Sequence, residues 1–352
     1  MKKQFLISIA VILSFNYLLS EVRPIRDDVG YFWEGKNFRK LIKFIENNQK
    51  PPSPTPPLVG GISPHDDYLY AGEMYYPLYK KISTREAVVF GVTHSTVRKS
   101  IGDHQSVLIF DNHPYWQGLN GNVKISVLRE WLKEKLAGDI LVHDDAHKQE
   151  HSIEATLPFL QFFNPAIHTT PIMVTAMPIE KMEVLTTKFA DAITEYMKER
   201  NLTLGEDIFF LISADANHYG EDFGNAPFGT DERAHRLGTE LDKGIIMECL
   251  TGVIDAAKCR KLADKLWGET YHDHSETLWC GRYSIPFGLL TLIKVVENMD
   301  GDQRLIGTLF GYSDTYTRGV IPLQKTGHGI TAPFSLRHWV GFFSAGFYLE
   351  KR

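Results

Sequence analysis

A chain of 352 residues with 43% hydrophobic and 12% aromatic residues suits one large domain, or two ordinary ones, around a substantial core. Its net charge of −5 is spread without long single-sign blocks, which removes the electrostatic case for a nucleic-acid partner. Three cysteines, Cys249, Cys259 and Cys280, are too few for a disulfide framework, although Cys249 and Cys259 could pair.

The chain opens with the basic Met1-Lys2-Lys3, and Phe5 to Leu19 is then almost wholly apolar. That length matches the apolar core of a secretory signal and is short for a membrane span, which needs about 20 residues. Residues 1–20 are therefore expected to be a cleaved signal peptide, with an uncleaved N-terminal anchor as the alternative. This places the protein in a bacterial periplasm or envelope, against a cytoplasmic alternative, and involves a membrane only if the segment is retained. Residues 21–57 read as a lead-in. Phe38, Leu41, Ile42, Phe44 and Ile45 mark a helical stripe, and "QKPPSPTPP" (49–57) is a connector, because proline removes donors and fixes φ. Residues 58–352 read as one domain. Apolar runs alternate there with amphipathic helices, which argues for α/β layering. The expected strands are Leu58–Ser63, Ala87–Thr93, Ser106–Phe110, Asp139–Val142, His168–Val174, Ile208–Ser213 and Leu305–Tyr312. The expected helices are Glu73–Ile82, Ser126–Leu136, His151–Phe163, Ile179–Arg200, Ala234–Cys249, Ala256–Leu266 and Ile285–Asn298.

Three of these apolar runs close alike. "LVGGISPH" ends in His65, "AVVFGVTH" in His94, and "IFFLISADANH" in Asp215 and His218. Carboxyl ends of parallel strands gather on one edge, where α/β proteins bind ligands. The pattern predicts that His65, His94 and His218 converge, and converging neutral imidazoles suggest a metal before a catalytic triad. Cys280, in "ETLWCGRYSIPFGLL", precedes a strong helix and adjoins Arg282. Helix dipole and guanidinium are expected to favour its thiolate, as a ligand or a nucleophile. In "HDDAHKQEHSIEATLPFL", His143 and His147 read as surface residues. His151 and Glu154 are open between site and structure. "YHDHSE" (271–276) reads as an exposed loop.

The ordered motifs "PHDDYLYAG", "GVTHS", "QEHSIEATLPFL", "SADANHYG" and "TLWCGRYSI", with "FGYSDTY" near the end, resemble the Memo family over roughly residues 58–350. Bacterial and archaeal members of that family are called AmmeMemoRadiSam system protein B. The resemblance implies an α/β/α fold with a central, mostly parallel mixed sheet, akin to class III LigB-type extradiol dioxygenases. It also implies a metal site from His65, His94 and Cys280, with Asp215 and His218 as the acid/base pair. His151, Glu154, Arg282 and Asp66 are the expected pocket residues. The sequence departs from the family where Asp66-Asp67 replace the usual Ala-Gly, and at Ser95, Ala216 and Tyr283, so the ligands are kept while their neighbours differ.

Two histidines and a thiolate form a softer set than two histidines and a carboxylate, which widens the choice to iron, copper and zinc; the resemblance to the dioxygenases puts iron first. The expected function is a metal-dependent, dioxygenase-like oxidoreductase acting on a small-molecule substrate. A metal-binding protein with a relict site and a protein partner is the first alternative. The second is a cysteine hydrolase using Cys280, His218 and Asp215, which leaves His65 and His94 without a role.

Overall fold

The computed structural model describes residues 22–323 and 328–352, so the expected signal segment lies outside the described residues. The strands are β1 (Val22–Arg23), β2 (Leu58–Ser63), β3 (Glu86–Gly91), β4 (Leu108–Phe110), β5 (Tyr115–Gly118), β6 (Gly121–Ile125), β7 (Ile140–Val142), β8 (His168–Val174), β9 (Ile208–Ser213), β10 (His218–Gly220), β11 (Gly252–Ile254), β12 (Gln303–Asp314) and β13 (His338–Lys351). The helices are α1 (Gly35–Asn48), α2 (Tyr68–Tyr79), α3 (Ser95–Ser100), α4 (Leu128–Lys135), α5 (Asp144–Gln149), α6 (Leu157–Phe163), α7 (Ile179–Arg200), α8 (Glu232–Cys249), α9 (Ala256–Leu266), α10 (Ser284–Met299) and α11 (Thr315–Arg318).

The main sheet runs β1-β5-β6-β8-β3-β9-β2-β13-β12-β11. Its centre, β6-β8-β3-β9-β2, is parallel, and β13, β12 and β11 continue it antiparallel. The central strands are apolar on both faces because both are covered, as a parallel sheet requires. Alternate side chains divide between two cores. Val88, Phe90, Phe210 and Ile212 meet Phe189, Ile193 and Phe287 from α7 and α10. Ala87, Val89, Phe209 and Leu211 face the layer that holds Phe38, Tyr68, Tyr75 and Phe159. This is the α/β/α arrangement expected.

The lead-in helix α1 buries Phe38, Leu41, Ile42 and Ile45, a spacing that puts them on one face. Phe38 lies against Tyr68, Phe159 and Phe162 at centroid separations of 5.8, 4.8 and 5.1 Å. Helix α2 carries Pro77, which cannot donate to the carbonyl of Glu73 four residues back. The Gln49 side chain supplies the missing donor to Glu73 O at 3.3 Å, so the start of the connector repairs the helix it precedes.

Several expectations need correction. The helix expected over His151–Phe163 is a 3-10 turn, Glu154–Thr156, followed by α6 with Pro158 in its first turn. The segment His338–Lys351 is a long strand that sequence reading left unassigned. His147, expected at the surface, is fully buried, with Nε2 at 3.0 Å from the carbonyl of Ile109. Cys249 and Cys259 are free buried thiols within one core.

Candidate metal centre

Strands β3, β9 and β2 are consecutive neighbours in the sheet, so their carboxyl ends lie side by side. His94 follows β3, Asp215 and His218 follow β9, and His65 follows β2. Cys280 arrives from across the sheet, on the turn before α10. Its neighbour Gly281 is so close to the end of β9 that a Cβ there would stand 2.2 Å from that of Ala214. Further along, the two stretches also pair: Asn217 bridges Trp279, and His218 N donates to Leu278 O at 2.9 Å. One donor atom each from His65, His94 and Cys280, the set the family resemblance implies, falls within 4.8 Å of the others. Two overlapping sets do the same, namely His94 with Glu150 and His151, and Asp215 with His218 and Cys280.

Hydrogen bonding fixes which nitrogen of each ring is free. Ser213 Oγ donates its single proton to Ser152 O at 2.6 Å, so at 2.9 Å it accepts from His65 Nδ1. The His65 lone pair is therefore on Nε2, which lies 3.4 Å from Cys280 Sγ and 3.3 Å from Asp215 Oδ2. His94 Nδ1 donates to Glu150 Oε1 at 2.8 Å, leaving its Nε2 for the site. Glu150 is buried and also accepts from the backbone N–H groups of His94, His151 and Ser152. His218 Nδ1 donates to Ala216 O at 3.2 Å, which again frees Nε2. An imidazole whose far nitrogen donates to a carboxylate or other oxygen is the usual form of a metal ligand.

The electrostatics follow from burial. Burial, then the neighbouring His94 and His151, push His65 well below its ordinary value, which favours the neutral ligand form. Burial and His94 lower His151 to about 3 and His218 to about 4. Burial alone would lower His94, but the charge and hydrogen bond of Glu150 outweigh it and raise it. Burial would likewise raise Glu150, yet His94 holds it well below the carboxylate range. Burial raises Asp215 to about 7.

Cys280 does not conform to expectation. Burial, then the Asp215 charge, push its thiol well above its ordinary value. The Arg282 side chain points elsewhere, with Nη2 donating to His272 O at 3.2 Å. Sγ accepts the Asp215 N–H at 3.1 Å, a contact suited to a sulfur that carries negative charge. A bound cation is what would complete that charge, because coordination deprotonates a thiol outright. The donor set therefore fits a metal ion.

Of the expected pocket residues, Arg282 lines a cavity of about 380 Å³ whose wall also includes His94, His218 and Cys280. His151 is not among the residues lining this cavity; its ring stacks on His94 at 4.5 Å and lies 5.5 Å from that of His65. Glu154 is buried away from the cavity, with its carboxylate committed to Arg23 and to the backbone N–H groups of Arg26 and Asp27. Asp66 Oδ1 accepts its neighbour's N–H at 2.5 Å; burial, then Asp67 and Asp215, raise its carboxyl well above the ordinary value. Sequence reading missed Glu150, Ser213 and Arg23. Ser213 had a signal, since each of the three strands closes on Ser or Thr before its histidine.

These features define an α/β protein with a His/His/Cys cluster at the carboxyl edge of its parallel strands. The sequence profile of the Memo-like protein family matches residues 29–300, and the chain belongs to that family. Its fold is consistent with that of LigB-type dioxygenases. Among its relatives, a MEMO1 family protein of Ignicoccus hospitalis is 32% identical over 168 residues, covering 46% of this chain and 53% of the relative. MEMO1 family protein PH1626 of Pyrococcus horikoshii is 26% identical over 205 residues, 56% of this chain and 66% of the relative. MEMO1 family protein TK1477 of Thermococcus kodakarensis is 29% identical over 202 residues, 55% and 64% respectively. The chain thus spans about half to two thirds of the length of the relatives it matches. Among the described residues no helix is long and apolar enough to cross a membrane.

Proposed function

We propose that His65 Nε2, His94 Nε2 and Cys280 Sγ hold a single metal ion, iron ahead of copper or zinc, and that the protein is a metal-dependent oxidoreductase acting on a small molecule in the adjoining cavity. The supporting observation is the tautomer of both rings: each Nδ1 is spent on an oxygen, which leaves the lone pair on each Nε2, and that of His65 lies 3.4 Å from the Cys280 sulfur. A redox-active ion held by His65, His94 and Cys280 would supply the activation of oxygen. The chain's own part is to place and protonate. His218 lines the cavity, and burial keeps its imidazole neutral with Nε2 unprotonated, so it can take a proton from a substrate hydroxyl. Asp215 orients His65 through its backbone N–H at 3.0 Å. Trp279 and Phe223 line the cavity and limit water.

The hydrolase alternative loses support from the same contacts. Asp215 reaches His65, whereas His218 Nδ1 is bonded to a carbonyl, so the sequence Cys280–His218–Asp215 is not wired as a relay. The binding-protein alternative differs only in having no turnover. The test is metal analysis of the purified chain beside a His65→Ala/His94→Ala double variant, followed by oxygen uptake by the iron-loaded protein with catechol-like substrates. Metal retained by the wild type alone, with uptake, is the expected result. Equal metal in both proteins would remove the centre, and metal without uptake would favour the binding protein. The apolar segment Phe5–Leu19 supports export, and N-terminal sequencing of the mature chain tests it.

A further inference from the structure

The cavity beside the cluster has an unbalanced wall. Arg282 is only 9% exposed and lines it, yet its side chain meets only neutral acceptors, the carbonyl of His272 and the hydroxyl of Tyr283. Its guanidinium lies 5.1 Å from the centre of the Tyr283 ring. Arg98, on α3, lines the same cavity and a second one of about 430 Å³ that shares Ser95 and Tyr283 with it. Among the described residues Arg98 has no ion pair or side-chain hydrogen bond. The acids nearby are engaged. Asp103, in the second cavity, accepts from Gln105 Nε2 at 3.2 Å. Asp222 is 78% exposed, with Oδ2 3.0 Å from His338 Nδ1, and Asp215 is turned to His65. A buried guanidinium without a counter-charge is costly, and a planar fork of donors suits a carboxylate. The remaining wall, including Val92, Val174, Phe223 and Leu278, is apolar.

We propose that this cleft binds a small aromatic carboxylate, with its anionic group on Arg98 and Arg282 and its ring along the apolar wall. The proposal rests on the metal-centre reading only in placing the ligand's other end beside His94 and Cys280. The volume lies in the range of small-molecule pockets rather than peptide grooves.

The probes are benzoate, its neutral isostere benzamide and inorganic phosphate, titrated by calorimetry into the full chain, both zinc-loaded and metal-free. Benzoate is expected to bind saturably at about millimolar concentration, and the other two at least about tenfold more weakly. Arg98→Met is expected to reduce benzoate to the benzamide level, and Arg98→Lys to keep part of the difference. The half-buried Arg98 is the primary variant because Arg282→Met risks misfolding. Absence of saturable benzoate binding, equal binding of benzamide or phosphate, or unchanged benzoate binding by Arg98→Met would each overturn the proposal. Metal content is read separately on the same samples. Charge discrimination in a chain that takes up no metal would leave the anion site standing and remove the metal centre, and the reverse pattern would do the opposite.

Discussion

One hydroxyl proton decides what His65 can do. Ser213 gives that proton to Ser152 O and so accepts from His65 Nδ1, which leaves Nε2 bare where the thiol stands. Without the hydroxyl, Nδ1 has no acceptor inside a buried pocket, and the ring is free to carry its proton on Nε2, where it would block a ligand position. Ser213→Ala is therefore expected to weaken metal binding by about 10- to 100-fold, the usual cost of losing such an outer partner. Ser213→Thr, which restores the hydroxyl, should recover most of it; competition against a chromophoric chelator gives both values. An affinity unchanged in Ser213→Ala would mean that the tautomer is set elsewhere. Glu150 works alike on His94 but with more at stake, because its buried carboxylate also accepts three backbone N–H groups.

Short elements carry more of the architecture than their length suggests. Strand β1 is two residues long, yet it introduces Arg23, which is 1% exposed. Its guanidinium reaches the Glu154 carboxylate, the carbonyl of His147 at 2.9 Å and that of Glu150 at 2.6 Å, and lies 4.4 Å from the centre of the Trp116 ring. Arg23→Met leaves Glu154 buried without its cation and is expected to destabilise by about 3–5 kcal/mol, with Glu154→Gln recovering part of the loss in denaturant unfolding. No recovery would mean that the carbonyl contacts dominate. Helix α8 contributes Asp242, which accepts from Trp279 Nε1 at 2.8 Å, Thr277 Oγ1 at 3.0 Å, Tyr312 OH at 2.8 Å and Asn217 N at 3.3 Å. It thereby fastens the stretches that carry His218 and Cys280. Burial raises its carboxyl to about 6 despite these bonds. The fold retains this proton where the unfolded chain, with a carboxyl near about 4, has lost it. The contribution is thus largest below about pH 4 and falls as pH rises to about 6. The stability advantage of the wild type over Asp242→Asn should shrink by up to about 3 kcal/mol across that window. Urea unfolding at several pH values measures it, and a pH-independent difference would show a carboxyl that ionises normally. Elements marked by a short apolar run or a clear helical period were legible in the sequence: β2, β8, β9, α7 and α9 lie where their patterns put them. Others carried no such mark. Strand β13 is buried on both faces through Trp339–Phe347, but Gly341, Ser344 and Gly346 interrupt its apolar residues and nothing alternates. The hairpin β5–β6 did carry an Asn120-Gly121 turn signal, with Gly121 at φ +98°, that went unread. Asp144 and Asp145 made His147 look solvated, although its side chain turns inward under β4.

Across the whole molecule, the proposed ligand positions run from residue 65 to residue 280, so the candidate centre joins chain segments that only the finished sheet brings together. This is why the three histidines were legible from their strand ends while Glu150, which reaches the site from a loop beyond α5, was not. It also means that an ion bound here stabilises the fold as a whole, by an amount set by its concentration relative to its dissociation constant. The ionisation of the ligands gives that binding a direction with pH. Cys280 is held protonated by burial and by Asp215, and His94 is raised by Glu150 even though burial opposes it. A metal needs the thiolate and the neutral ring, so uptake must expel the thiol proton and, below the raised value of His94, the imidazole proton as well. Affinity should therefore climb with pH through the ordinary histidine value of about 6.5 and continue above it because of the thiol. Calorimetry of zinc binding in two buffers of different ionisation enthalpy counts the protons: between about one and two per ion near neutrality, and about one fewer for Cys280→Ala. Zinc uptake that releases no protons, or a count unchanged in Cys280→Ala, would show that the sulfur is not a ligand.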